Sequence, residues 1–307
     1  MNAKTLSALF AACLIVLAGF SACENAATQQ AAPRTPGRTV VIGLIPDQNL
    51  FQQIERYEPL AAYLSEKSGT RIRLTFLSRY GNVIDNFVWG GMDGAFFGGF
   101  TYALAHARLG VHVLARPESP DGVSTYHGLI IARKDSGIRS CGDMQGKRFA
   151  FVDRASSAGC VFPVAYFKKQ GLDYRTYLKD LYCTGTHEEA IYDVLNRKAD
   201  IGAATNAIFD RLARSDARVR NELTVLERSI AIPASALAMK KDFDASLRQT
   251  FKTILLKMHQ DPKGLKVLEG FGAKRFIETT DADYQPLYRE AREIKLDFAT
   301  YDVRDDL

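Results

Sequence analysis

The chain has 307 residues, of which 47% are hydrophobic and 24% are charged, and it carries 40 Lys and Arg against 35 Asp and Glu. Charges of both signs are interspersed without a long basic run, which argues against a nucleic-acid partner. The length exceeds a typical single domain of about 100–150 residues, so we expect two lobes.

The N-terminal stretch has the composition of an export signal followed by a tether. Lys4 precedes an apolar run over 9–20 that is too short to span a membrane, so residues 1–22 are predicted to direct export. Small residues directly before Cys23 resemble a lipobox, which predicts that Cys23 is lipidated and anchors the protein to a membrane surface. An ordinary cleaved signal with an incidental cysteine is the alternative. Residues 23–38 are rich in Ala, Gln, Thr and Pro and are predicted to form a flexible tether.

From residue 39 onward, short apolar runs alternate with amphipathic segments. This pattern favours an α/β fold with a mostly parallel sheet and helices on both faces. Predicted strands in this part occupy 39–45, 71–77, 94–97 and 112–116. Predicted helices occupy 50–66, 81–89 and 101–109. A turn-rich stretch then interrupts the alternation.

The same alternation restarts after this break, which predicts a second α/β lobe. The strands predicted here occupy 125–133, 149–152, 180–183, 200–204, 223–227 and 234–239. The predicted helices start near 161 and 187, include 209–212, and continue over 244–260, 262–271 and 282–298.

We expect the chain to cross between the lobes twice, near 124–127 and 229–233. These crossings assign 39–125 together with 233–307 to lobe one, and 126–232 to lobe two. Two crossing strands would allow the lobes to close over a ligand by a hinge motion.

Three turns between a strand and a helix contain glycine or small hydroxyl residues. They hold Gly98 and Thr101, Ser156 and Ser157, and residues 184–187. Amide groups at a helix start favour an anion, and such turns lie beyond the carboxyl ends of strands, where ligands bind. The three turns therefore predict an oxyanion site in the cleft between the lobes. Helix capping alone is the alternative for the serines, and a structural role is the alternative for the histidine at position 187.

Three motifs follow one another in order. They are Phe97-Gly-Gly-Phe-Thr-Tyr102, residues 146–153 with Ser156-Ser-Ala-Gly159 after them, and Thr184-Gly-Thr-His-Glu-Glu-Ala190 with 199–203 downstream. Together they resemble the phosphonate, phosphite and phosphate-binding proteins of ABC importers, the PhnD-like family, over about 39–283. The resemblance implies a two-lobe type II periplasmic-binding-protein fold, no catalysis, and delivery of the ligand to an ABC permease and its ATPase. We expect a monomer without a cofactor.

The resemblance also implies which residues contact the ligand. Ser156, Ser157 and the N–H of Gly159 match the oxyanion loop of the family, and His187 matches its ligand-contacting histidine. The other predicted contacts are Thr101 and Tyr102 in the first-lobe wall, Tyr126 at the hinge, and Thr186 beside the histidine.

Departures from the family pattern leave the ligand open. Arg154 stands where proline is usual, Ala158 lacks a hydroxyl that the family loop commonly has, and Gly99 differs from the more usual Gly-Pro pattern. Phosphonate, phosphite and phosphate are the expected ligands, and another tetrahedral oxyanion such as selenate is the alternative. A second alternative is a ligand-sensing partner of a membrane signalling protein.

Motifs for catalysis and for metal binding do not match the chain. No G-x-S-x-G surrounds a serine after the signal, no phosphate-binding P-loop occurs, and the histidines lack metal-ligand spacing. We therefore predict no catalytic residue and no metal ligand.

Three cysteines, Cys141, Cys160 and Cys183, follow the signal region and permit at most one internal disulfide. Cys160 follows the serine loop and Cys183 precedes the histidine turn. A Cys160–Cys183 disulfide and three small reduced thiols are both open.

Overall fold

The computed structural model describes residues 38–46, 49–77, 80 and 83–303. The predicted export signal, the Cys23 lipidation site and the tether as far as residue 37 lie outside this range. Within the described residues, no helix has the length and apolar character needed to cross a membrane. The first strand starts at Thr39, where the sequence predicts that the folded part begins.

Six strands form one mixed sheet. In chain order they are β1 (Thr39–Leu44), β2 (Arg71–Phe76), β3 (Gly94–Phe97), β4 (His112–Glu118), β12 (Ala236–Met239) and β13 (Arg275–Glu278). Their spatial order is β13-β4-β12-β3-β1-β2. β1 is parallel to β2 and β3, whereas β12 is antiparallel to β3 and β4, and β13 is antiparallel to β4. The sheet is mixed rather than mostly parallel because β12 returns from the other half of the molecule and inserts between β3 and β4.

Five strands form a second mixed sheet. They are β6 (Gly128–Arg133), β7 (Arg148–Phe151), β8 (Asp180–Cys183), β9 (Ile201–Thr205) and β10 (Leu223–Arg228). Their spatial order is β10-β6-β9-β7-β8. β7 is parallel to β8 and β9, whereas β6 is antiparallel to β9 and β10.

A short antiparallel ladder joins the two halves. It pairs β5 (Thr125–Tyr126) with β11 (Ile232–Pro233), at the two predicted crossings. The predicted strand over 125–133 is interrupted at His127, because the N–H of His127 donates to Asn206 Oδ1 at 2.7 Å instead of continuing the ladder. The lobe boundaries at 125/126 and 232/233 stay a prediction.

Eleven α-helices flank the sheets in the described part of the chain. They are α1 (Leu50–Ser68), α2 (Val83–Trp89), α3 (Gly99–Leu109), α4 (Phe162–Lys169), α5 (Tyr174–Tyr177), α6 (His187–Leu195), α7 (Asn206–Ser215), α8 (Ala217–Glu222), α9 (Ala245–Lys257), α10 (Pro262–Phe271) and α11 (Gln285–Glu293). Helix α1 is capped by Asn49, whose side chain accepts the N–H of Phe51, and it ends at Gly69 in the left-handed conformation.

Further parts of the chain differ from the sequence-based prediction, including the short helices α5 and α8, which were not predicted. The helix expected over 282–298 is confined to α11, because a 3-10 turn precedes it and Lys295 has a positive φ of 55° after it. Strand β13 was not predicted, since only two apolar residues stand between charged ones and the segment lies between two helical segments. It pairs with β4 at the sheet edge.

The C-terminal segment holds the two halves together. The ring of Phe100 in α3 lies 5.1 Å from that of Phe298 and 5.2 Å from that of Tyr301. The hydroxyl of Tyr301 donates to the backbone oxygen of Arg154, which belongs to the other half of the molecule. The C-terminal segment therefore contacts both halves of the molecule.

Candidate functional site

The start of α3 directs its first amides across the space between the two sheets. Gly98 is the N-cap residue and has no side chain to accept these amides. The N–H of Phe100 donates to Ser157 Oγ at 2.7 Å, and the N–H of Gly99 donates to Tyr126 Oη at 3.4 Å. Amides of one half are thus satisfied by side chains of the other half and of the β5–β11 ladder.

The absence of a side chain at Gly99 permits this close approach. A Cβ at Gly99 would lie 2.4 Å from Ile232 Cγ2 and 3.4 Å from Ser157 Oγ. A Cβ at the neighbouring Gly98 would meet only ordinary contacts, the nearest being Ile45 Cδ1 at 3.6 Å. Of the two adjacent glycines, only Gly99 is required by packing.

The facing wall is built by the loop that ends β7. Ser156 Oγ accepts the N–H of Gly159 at 3.0 Å and so caps a single π turn, Ser157–Val161, that leads into α4. Its hydroxyl hydrogen remains available to a ligand. Ser157 Oγ accepts the amide of Phe100, and the hydroxyls of Ser157 and Tyr126 are hydrogen-bonded to each other. Burial raises the pKa of Tyr126, and these hydrogen bonds partly oppose that shift.

His187 is the first residue of α6 and borders the same space between the sheets. Only 3% of its surface is exposed. Its Nδ1 is buried and has no hydrogen-bond partner among the described residues. The ring of Tyr80 meets the imidazole edge to face, with centroids 6.1 Å apart. Burial lowers the pKa of His187 to about 3, so the ring is neutral at ordinary pH. A neutral imidazole offers one donor and one acceptor, and a buried nitrogen without a partner indicates a place for a ligand.

Five of the predicted contact residues line one cleft, which encloses about 800 Å³. They are Thr101, Tyr126, Ser156, Ser157 and His187. All five are uncharged, so the predicted site consists of neutral hydrogen-bonding groups.

The remaining three predicted residues do not line this cleft, and their contact with a ligand stays a prediction. The side chain of Tyr102 is buried, and its hydroxyl donates to Asp281 at 3.2 Å. The N–H of Gly159 is already donated to the capping serine. Thr186 accepts the N–H of Glu189 and serves as the cap of α6.

Charged side chains line the rest of the cleft. They are Glu55, Arg56, Asp121, Asp210, Arg211 and Arg214. Arg211 lies 3.5 Å from Glu188, an acidic residue in the first turn of α6. The acidic residues after His187 therefore complement the helix dipole and an arginine.

Sequence reasoning missed two residues that line the cleft beside the histidine. Tyr80 follows β2, and Asn206 follows β9. Both positions obey the rule that ligand contacts come after the carboxyl ends of strands, and applying that rule to every strand would have identified them.

A family model described as "ABC transporter, phosphonate, periplasmic substrate-binding protein" matches residues 42–284. The phosphonates-binding periplasmic protein of Escherichia coli strain K12 is 23% identical over 305 residues, covering 96% of this chain and 88% of the relative. The phosphate-import protein PhnD of Mycolicibacterium smegmatis is 28% identical over 216 residues, covering 66% of this chain and 65% of the relative.

Solved structures share the fold. The binding-protein component of an ABC phosphonate transporter from Pseudomonas aeruginosa superposes with a TM-score of 0.78 at 22% identity, covering 84% of this chain and 87% of that one. PhnD1 from Prochlorococcus marinus in complex with methylphosphonate has a TM-score of 0.75 at 18% identity, covering 85% of this chain and 99% of that one. Both likenesses confirm the two-lobe α/β architecture. The family match extends over most of the chain, and the family binds substrate without catalysis. The chain belongs to the phosphonate family of periplasmic substrate-binding proteins of ABC transporters.

Proposed function

We propose that this protein captures the phosphoryl end of a phosphonate in the cleft and delivers it to an ABC permease. The observation that carries the proposal is the meeting of three kinds of neutral group at one place. These are the amides of Gly99 and Phe100, which now donate to Tyr126 Oη and Ser157 Oγ, the hydroxyls of Ser156 and Ser157, and the unpartnered Nδ1 of His187. Each can bond to an oxygen of a tetrahedral anion.

Binding at this place exchanges partners rather than creating new donors. In the structure, the N–H of Phe100 donates to Ser157 Oγ at 2.7 Å. A ligand oxygen that enters between the lobes would accept this N–H instead. Hydrogen bonds to an ionised acceptor are roughly twice as strong as neutral ones, so the exchange favours the anion. The start of α3 adds a favourable dipole. A lysine or arginine in contact with the phosphoryl group is not needed.

Closure of two lobes would complete the site. We assign 39–125 with 233–307 to lobe one and 126–232 to lobe two, joined by the β5–β11 ladder. The amides of α3 come from lobe one, while the serines and the histidine come from lobe two. Ligand contacts from both lobes stabilise the closed form relative to an open one.

The size of the cleft supports a ligand that carries an organic group. Its volume of about 800 Å³ lies in the range of about 300–1,000 Å³ found for drug-sized ligands. A bare phosphate, phosphite or selenate ion would leave most of that space to water. The names of the relatives, which include a phosphonates-binding protein and a methylphosphonate complex, support a phosphonate first and phosphate second.

The partners and the anchor follow from the same assignment. We propose that a permease and its ATPase receive the ligand, and that the protein acts as a monomer. Lipidation at Cys23, after an export signal over 1–22, would hold it beside the membrane while residues 23–38 act as a tether. Radiolabelled lipid incorporation in cells, compared between the natural chain and Cys23→Ser, tests the anchor: label retained by the variant contradicts it.

Calorimetric titration of the purified protein tests the ligand. Methylphosphonate, a longer alkylphosphonate, phosphite, phosphate, sulfate and selenate are compared at one pH and salt concentration. We expect the longer alkylphosphonate to bind most tightly and sulfate not to bind measurably. If phosphate or selenate binds most tightly, the protein is not a phosphonate-binding protein. If none of the six compounds binds, the cleft is not an oxyanion site.

A further inference from the structure

Two cysteines belong to the loops that carry the proposed ligand contacts. Cys160 lies in the π turn that follows Ser157, and Cys183 is the last residue of β8, before the turn that leads to His187. Neither is part of a disulfide in the structure; Cys160 is buried and Cys183 is exposed. The third cysteine of the described range, Cys141, is half-buried in a 3-10 turn.

The strand register of Cys183 and the apolar packing of Cys160 place the two cysteines on the same side of the second sheet. β7 and β8 are parallel neighbours, and Cys183 is directly paired with Phe151. Paired residues of adjacent strands project their side chains to the same face, with the strands about 4.8 Å apart. Phe151 packs into the apolar cluster that contains Cys160, so the Cys183 side chain projects from the face that this cluster covers.

The backbone brings the two loops to the same end of β7. The N–H of Val152 donates to the backbone oxygen of Gly159 at 3.0 Å, and the N–H of Thr184 donates to the backbone oxygen of Phe151 at 2.9 Å. Gly159 and Thr184, the neighbours of Cys160 and Cys183, are thus hydrogen-bonded to Val152 and Phe151, which are consecutive in the chain. Consistent with this proximity, burial raises the pKa of the Cys160 thiol and the neighbouring Cys183 raises it further.

We propose that Cys160 and Cys183 form a disulfide in the exported protein, linking the serine loop to the histidine turn. The periplasm is an oxidising compartment in which such pairs persist. The reaction joins the two Sγ atoms and releases two protons. The two electrons pass to a disulfide-bearing oxidant, either a protein or a small molecule, which is reduced to two thiols. The proposal concerns the fold of lobe two and does not depend on the identity of the ligand.

The linkage would fix the distance between two parts of the cleft wall. It closes a loop from residue 160 to residue 183, and a cross-link over a loop of this length restricts the unfolded chain. We expect the oxidised protein to melt about 5–10 °C above the reduced protein. Cys141 is the matched control, because its thiol is hydrogen-bonded to the Tyr166 hydroxyl and is not part of the proposed cross-link.

Peptide mass spectrometry tests the proposal on protein purified from the cell envelope with a thiol-blocking reagent present throughout. We expect a peptide pair joined through Cys160 and Cys183, two hydrogens lighter than the reduced peptides, and a blocked Cys141. The same protein refolded in a glutathione redox buffer should give the same pair. Blocking of all three thiols after unfolding of both preparations, or a pair that contains Cys141, would overturn the proposal.

Variants separate the cross-link from simple packing. In Cys183→Ser, a change at an exposed position, the melting difference between oxidising and reducing buffer should disappear. In Cys141→Ser it should remain. Loss of the difference in Cys141→Ser, or its persistence in Cys183→Ser, would contradict the assignment.

Discussion

The two walls of the cleft satisfy their helix starts in opposite ways. On the lobe-two wall, Ser156 caps its own turn and Thr186 caps its own helix, so these ends are complete within one lobe. On the lobe-one wall, Gly98 provides no cap, and the amides of Gly99 and Phe100 reach across to the other side. The lobe-two wall therefore provides the acceptors for its own helix starts and is called the self-sufficient wall. The lobe-one wall needs acceptors from the opposite side and is called the dependent wall.

This difference indicates which groups can change partners when a ligand arrives. Releasing the amide of Phe100 from Ser157 costs one neutral hydrogen bond, and an anion can replace it with a stronger one. Releasing Gly159 from Ser156 would instead uncap a turn. The dependent wall therefore supplies exchangeable amides, while the self-sufficient wall supplies hydroxyl hydrogens and a histidine in fixed positions.

Replacing Ser157 with alanine should have the largest effect on the contact between the walls. The change removes the oxygen that holds Phe100 and the hydroxyl that would bond the ligand. A hydrogen bond to a charged group contributes about 1.5–3 kcal/mol, so alkylphosphonate affinity should fall by roughly 10–100-fold. Calorimetry measures this loss. Affinity equal to that of the natural protein would show that the anion does not contact this wall.

Substitution of the two adjacent glycines tests the close approach of lobe one. Gly99→Ala places a methyl 2.4 Å from the Ile232 side chain, whereas Gly98→Ala makes only ordinary contacts. Overpacking of this kind costs about 1–3 kcal/mol, so Gly99→Ala should weaken ligand binding by about tenfold or more. Gly98→Ala is the matched control and should bind nearly as well as the natural protein. Equal affinities for both variants would contradict a requirement for closure at Gly99.

Acid should weaken the fold through His187 on the self-sufficient wall. Its folded pKa of about 3 lies below the unfolded value of about 6.5. Between these values the unfolded chain binds a proton that the folded chain excludes, so the free energy of unfolding falls as the pH drops from 6.5 toward 3. The full free energy of unfolding is therefore present above pH 6.5. Below that pH, the loss caused by His187 is at most about 1.4 kcal/mol per pH unit.

Denaturant unfolding at several pH values between 7.5 and 4 measures this contribution. His187→Gln cannot take up the proton, so its stability should depend less steeply on pH than that of the natural protein. Parallel pH dependences for the two proteins would mean that the histidine is solvated in the folded state.

Removing a cap that does not face the cleft should have the smallest effect on binding. Thr186→Ala deletes the oxygen that accepts the N–H of Glu189 and should lower the free energy of unfolding by about 1 kcal/mol. Ligand affinity should stay within about twofold, because Thr186 does not line the cleft. A large loss of affinity with unchanged stability would restore Thr186 as a ligand contact.

The sequence by itself determined the local structure around the site. Alternating apolar runs predicted the strands, Gly69 marked the end of α1, and the small residues at 98–101 and 156–157 marked the turns that face each other. These features follow from backbone conformation and helix capping, which act over a few neighbouring residues. The family resemblance then predicted how the turns combine, and the family model confirmed the family itself.

Only the tertiary structure decided which groups are left to meet a ligand. Tyr102 and Thr101 are adjacent in sequence, yet the hydroxyl of Tyr102 donates to Asp281 and Thr101 lines the cleft. The amide of Gly159 is consumed by a cap, whereas that of Phe100 depends on a serine 57 positions away along the chain. Hydrogen-bond satisfaction and burial depend on every element packed around a group, and this information is not contained in any single stretch of sequence.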